Sequence, residues 1–363
     1  SSGSITSRTR REDWGLTQTG NWTSFRRDSD GNGTWDTSES PTYNPANELL
    51  TRGGFTLTHD RAGQLTDDGE HYLYSYDAFG RLVLVRTRGT TPATVAEYRY
   101  NGLGHRTGWR SDADADGDVD SSDPWWWQAH DERWRVVAVF RDTDSSPKER
   151  FVHHAAGLAG SGASSYIDLV VLRDRDNTGG WNSASDGVLE ERRHVLQNWR
   201  ADVVALMAGG IVRERVRYST YGVPNLLLGA DLNFDGEVTS DDNSQYIAYY
   251  NASDTRADLN RDEEFTFDDI QMWTALYGAQ SVLTPTWTQL STEGNRIGYA
   301  GYQHEPAFVG ASNGGRALYH VRHRVYDAET GRWNRRDPLG YVDGASLYQY
   351  VGGRALRDAD PSG

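Results

Sequence analysis

Apolar and polar positions alternate through most of this chain, in short runs broken by turns. Tyr72-Leu73-Tyr74-Ser75-Tyr76 is followed by Asp77-Ala78-Phe79-Gly80 and then by Arg81-Leu82-Val83-Leu84-Val85. A period of two puts every second side chain on one face of a strand. Asp at the first and Gly at the fourth position of the gap suit a tight turn, where the carboxylate takes backbone amides and Gly supplies the exit geometry. Strand, turn and strand therefore read as one hairpin. Related units occur at His59-Asp60 to Gly63, at Tyr98 to Gly104 around Asn101, and at Tyr326-Asp327 to Gly331. A lone hairpin cannot bury its aromatic face, so the units must stack into a continuous sheet.

Between Val223-Pro224 and Thr284-Pro285-Thr286 the period changes. Ile270, Trp273, Thr274 and Tyr277 fall at i, i+3, i+4 and i+7 before Gly278, and Tyr246, Ile247, Tyr249 and Tyr250 follow an acidic loop. That spacing predicts two short helices. The chain thus divides into a hairpin wall over 1–228, a helical insert over 229–280 whose ends return to the same sheet, and terminal hairpins over 281–363. The fold class expected is mainly β.

Composition sharpens this picture. Thirteen Trp, twenty Tyr and thirty-nine Gly against two Met, with a mean hydropathy of -0.74, describe aromatic strands joined by tight turns. A net charge of -15 disfavours nucleic acid and anionic membrane as partners. There is no Cys, hence neither disulfide nor thiol nucleophile. No apolar run approaches the ~20 residues of a membrane span. The chain opens at Ser1 with no signal-like segment, and reads as a piece of a longer protein.

The acidity is patterned. Asp231, Asn233, Asp235, Glu237, Thr239 and Asp242 occupy positions 1, 3, 5, 7, 9 and 12 of a twelve-residue calcium loop, with Gly236 at 6 and Val238 at 8. Asp258, Asn260, Asp262, Glu264, Thr266 and Asp269 repeat it, although Glu263 stands where Gly is wanted. Val238 and Phe265 are expected to pair in a short sheet between these two loops. Asp112, Asp114, Asp116, Asp118, Asp120 and Asp123 form a third copy, and Asp28, Asp30, Asn32, Thr34, Asp36 and Glu39 a fourth, in which Glu39 is long enough to bind through both oxygens. Neither is followed by a helix, so both read as ions stapling long β-connections. Carboxylates gathered without a cation repel one another, which links metal to folding. Four bound Ca2+ would bring the charge to about -7, and millimolar calcium outside cells makes an extracellular setting the natural one. Asp174 and Asp176 to Gly179 carry only the first half of the pattern and read as an ordinary turn.

The hairpin units resemble the tyrosine-aspartate repeats of the RHS family. The likeness strengthens through Asn295-Arg296 to Glu305, Leu318-Tyr319 to Asp327, Gly331-Arg332-Trp333, Arg336-Asp337-Pro338 and Asp360-Pro361, which are similar to the RHS-repeat-associated core; Ser346 departs from it, where the family pattern usually has Asn. The insert resembles a type I dockerin. The first resemblance implies a partial β-shell of wound hairpins, and an aspartyl-protease-like pair, Asp337 and Asp360 with Arg336, that cuts the chain just after the second motif. Two carboxylates held close divide one proton, leaving one as base and the other as acid.

Other chemistry is thin. His153-His154 and His320 to His323 lack a second ligand set, and Trp125 to Trp127 with Trp134 read as wall-lining aromatics rather than a sugar platform. The function expected is that of a secreted or surface RHS-type fragment, a calcium-stabilised shell that encloses and releases a variable, toxin-like C-terminal polypeptide, with self-cleavage the only reaction implied. The alternative is a non-enzymatic extracellular scaffold that binds a cohesin-like protein through Ser240, Asp241, Phe267 and Asp268, or a polysaccharide through its tryptophans.

Overall fold

The computed structural model describes residues 10–29, 31–114, 116–154, 169–209, 211–227, 230–233, 238–259, 264–278, 294–305, 316–342 and 344–363. Among these the fold is mainly β, as expected, with a small helical insert. Its largest element is a 14-stranded antiparallel sheet running from Thr58–His59 to Pro224–Leu227, in which every strand pairs with its sequence neighbours. The sheet is a meander of hairpins.

The turns are made as the sequence implies. Asp77 Oδ1 accepts the backbone N–H groups of Phe79 and Arg81 at 2.9 and 3.0 Å, and Asp60 and Asn101 do the same in their own turns. The unit also recurs where the glycine is missing. Asp131 accepts from Arg133 and Arg135, and Asn198 from Arg200 and Asp202, while Trp134 and Ala201 take the left-handed conformation at φ 64 and 66.

One face of this sheet carries the main core. Tyr72, Tyr74, Leu82, Trp109 and Trp126 are buried there with Ile297, Leu318 and Val325 from the C-terminal region. That region adds a four-stranded sheet, Gln303–His304, Leu318–Val321, Arg324–Asp327 and Arg332–Trp333. It touches both ends of the long sheet. Arg316 joins Asp327 at 2.6 Å to Asp68 at 3.2 Å, whereas the neighbouring Tyr326 hydroxyl donates to the Tyr221 carbonyl at 2.8 Å. Laid flat, the strands beside Asp68 and Tyr221 would stand about 50 Å apart. The sheet must therefore wrap around the C-terminal strands. Buried ion pairs Arg106–Glu305 and Arg296–Glu149 fasten the two layers between those ends.

Strands β1 (Arg11–Leu16), β2 (Trp22–Asp28) and β3 (Thr37–Glu39) form a separate sheet. Trp22 and Phe25 of β2 pack with Tyr221, Tyr299, Tyr326 and Tyr350 in a second core. The insert holds helices α1 (Ser240–Asn251) and α2 (Phe267–Leu276), each started by a Thr-Asp capping box. Its core is its own: Leu232, Val238, Tyr246, Leu259 and Trp273 pack together, with Tyr246 and Trp273 stacked at 5.3 Å. Among the described residues no bridge joins Val238 to Phe265, contrary to expectation; the Val238 carbonyl instead accepts the Gly278 N–H at 2.7 Å. Stacking of the two helices makes the pairing that the loops were expected to make.

Candidate functional site

Asp337 and Asp360 meet at one guanidinium. Asp337 follows the last strand of the small sheet, where its N–H donates to the Leu347 carbonyl at 2.9 Å and its Oδ1 accepts from Leu339 at 2.8 Å. Asp360 is fixed by its N–H on the Tyr302 hydroxyl at 2.9 Å, and its Oδ1 accepts from Ser362 and Gly363, each at 3.0 Å. The remaining oxygen of each faces Arg324 Nη2, at 2.7 Å from Asp337 and 3.4 Å from Asp360. Arg324 lies over the Trp333 ring at 4.2 Å. Burial lowers the pKa of its guanidinium from the ordinary arginine value, against the pull of both carboxylates.

Arg336 does not share this site. Its Nη2 pairs with Glu48 at 2.6 Å and its Nε donates to the Tyr348 hydroxyl at 3.2 Å. The cation beside the acids is Arg324, which sequence reasoning passed over. Arg336 and Asp337 follow the last strand, Arg332–Trp333, outside any strand, and their side chains part to different partners, whereas Arg324, on the strand that pairs with Arg332–Trp333, reaches Asp337.

The acidic loops share a construction. Asp112 Oδ2 accepts the Gly117 N–H, and Asp28 Oδ2 the Gly33 N–H, both at 3.0 Å. At the other end Asp123 accepts from Ala113 and Asp120 at 2.5 and 2.9 Å, Asp242 from Leu232 and Thr239 at 2.7 and 2.9 Å, and Asp269 from Leu259 and Thr266 at 2.9 and 3.0 Å. Position 12 thus closes three loops through amides at positions 2 and 9. The side chains of Asp112, Asp114 and Asp116 converge within 4.8 Å, as do those of Asp116, Asp118 and Asp120. Loss of solvation and the carboxylates of Asp116 and Asp120 raise the pKa of Asp118.

Asp231 is buried and Glu264 exposed, while Asn233 is half-buried. Asp30, Asp235, Glu237, Asn260 and Asp262 lie outside the described residues. Asn32 Oδ1 accepts from Thr34 at 2.7 Å and Asp36 Oδ2 from Ser29 at 2.6 Å. Glu39 is not turned into its loop by the same rule, because its Oε2 pairs with Arg52 across the strands at 2.8 Å.

A further acidic group, Asp176, Asp186 and Glu190, converges within 4.8 Å. Sequence spacing hid it, since its members lie ten and fourteen residues apart. Asp176 is already paired with the fully buried Lys148 at 3.1 Å. Trp126 is enclosed, stacked on Trp181 at 4.2 Å and on Trp109 at 6.2 Å, so it is wall lining. Among the described residues, none of the histidines joins a group able to hold a metal.

No protein-family model matches the chain, and neither does any curated protein. Among solved structures it is similar to the crystal structure of TcdB2-TccC3 with Cdc42, at 15% identity and a TM-score of 0.43 over 98% of this chain and 17% of that one. The TcdB2-TccC3 structure without its hypervariable C-terminal region matches at 14% and 0.42, over 99% and 17%. The Tc holotoxin pore of Photorhabdus luminescens matches at 14% and 0.44, over 97% and 16%. This chain spans about a sixth of the length of each.

Proposed function

We propose that this chain is the closing part of an exported RHS-type shell, which encloses a C-terminal polypeptide and releases it by self-cleavage. One observation carries the reading: Asp337 and Asp360, each in an Asp-Pro step and far apart in sequence, are brought to one buried arginine beneath a sheet that wraps the segment bearing them. In the reaction a water molecule adds to the carbonyl carbon of the bond after the second motif. The ionised member of the pair takes a proton from the water, the other, protonated as a carboxylic acid, gives its proton to the departing amide nitrogen, and the C–N bond breaks, so that the pair ends with its one proton exchanged between its two members. Arg324 supplies the counter-charge that allows two carboxylates to stand together.

The test is to express the chain with its native downstream sequence. A discrete fragment is expected, with a new N-terminus just after Asp360-Pro361, and it should vanish in Asp337→Asn and Asp360→Asn while both variants remain folded at the assay temperature, as a cooperative melting transition above it records. A fragment that persists in both variants would overturn the reading.

The exposed Phe267 and Met272 on α2 and Ile247 on α1 favour a second role for the insert, docking of a partner protein. Loss of capture in Phe267→Asp, with cleavage intact, would separate the two roles.

A further inference from the structure

The fourth loop holds a feature that turn formation does not use. Asp28 ends β2 and is 1% exposed. Its Oδ2 is taken by the Gly33 N–H at 3.0 Å, which turns the carboxylate into the loop. Its Oδ1 is buried and has no hydrogen-bond partner. Arg26 is paired with Asp13 at 2.5 Å and Arg27 with Glu12 at 3.2 Å, while Arg11, opposite Asp28 in the strand register, pairs with Asp13 at 3.8 Å and lies over Trp35 at 4.6 Å. A buried carboxylate oxygen facing nothing is costly unless a cation meets it.

We propose that the loop from Asp28 to Asp36 is a binding site for a hard divalent cation, Ca2+, with Asp28 Oδ1 as its buried anchor. Asn32, Asp36 and the Thr34 carbonyl complete an all-oxygen set of the kind calcium takes. Glu39 is excluded from that set, because it serves Arg52. The site is independent of the cleavage reading, and neither stands on the other. Its place gives it a purpose. The ion would tie the end of β2 to the start of β3, and β2 carries Trp22 and Phe25 into the aromatic core shared with Tyr221 and Tyr326.

Trp35 sits inside the loop at its eighth position, beneath Arg11 and Arg26 at 4.6 and 4.7 Å, and offers a reporter. The full chain, freed of metal with chelator, is titrated with Tb3+ under indole excitation, and Ca2+ is then added to displace it. Part of the sensitised emission is expected to disappear in Trp35→Phe. In Asp28→Asn that part should require at least tenfold more Tb3+, whereas Glu39→Gln should titrate as wild type. A second readout needs no terbium. In chelator Asp28→Asn should melt no lower than wild type, since it removes a buried charge, and in millimolar calcium it should melt several degrees lower. Should Asp28→Asn fold poorly, Asp36→Asn carries the same titration. Emission unchanged in both Trp35→Phe and Asp28→Asn would overturn the site, and so would a melting deficit of Asp28→Asn equal with and without calcium.

Discussion

Arg324 is the residue on which the acid pair depends, and it is also the one a linear reading could not find. Asp337 and Asp360 stand out in sequence because Pro follows each, but what joins them is a side chain on the preceding hairpin strand. Which side chain meets the segment after a strand is set by how the chain folds back, which a motif does not record. Removing the cation takes from both carboxylates the guanidinium they share. Because both are partly solvated, the cost of Arg324→Met is put at roughly 2 kcal/mol, below that of breaking a fully buried pair. Thermal melting should record it, and adding Asp360→Asn should return most of the loss, since repulsion is then relieved. A double variant as unstable as the sum of the singles would mean that Arg324 acts only through its packing on Trp333.

At the scale of elements, the hairpin unit was legible wherever Asp or Asn and Gly both marked the turn, as at Asp77 to Gly80. It was invisible at Asp131 to Trp134 and Asn198 to Ala201, where the side-chain oxygen still organises the turn but a residue with a Cβ accepts a positive φ. The insert was legible from its 3.6-residue spacing. Its independence was not, because periodicity says which face is apolar and not what covers it. Here the helices cover each other: Trp273 packs on Tyr246 and Tyr277, at 5.3 and 5.1 Å, in a cluster sharing no residue with the two cores of the wall. Trp273→Ala is therefore expected to cost the insert about 3 to 5 kcal/mol and melt it, leaving the sheet in place. Amide exchange should quicken across α1 and α2 and stay slow from Leu82 to Leu206. Loss of protection in the wall as well would show that the insert supports it.

The wrap belongs to the whole molecule and was the least legible feature, since it is fixed by contacts such as Arg316–Asp68 and Arg106–Glu305 between residues 248 and 199 positions apart. Closing the wall over the C-terminal strands also buries imidazoles. Burial pushes His304 down to about 3 and His130 to about 4, and His59 falls to about 4 for the same reason. The unfolded chain takes up these protons near pH 6.5, whereas the folded chain resists them until far lower pH. The stability such groups contribute is therefore complete above about pH 7 and is lost as pH falls from 6.5 towards 4. Carboxylates held low by arginine, such as Asp174 beside Arg192, act in the same direction only below about pH 4. Stability measured by denaturant should accordingly be level from pH 7 to 8 and fall by a few kcal/mol between pH 6.5 and 4.5. Replacing His304, enclosed between the two layers against Tyr319 at 5.2 Å, by Gln should flatten that slope, even if it lowers the plateau. A slope unchanged in His304→Gln would assign the acid sensitivity to groups outside the wrapped interior.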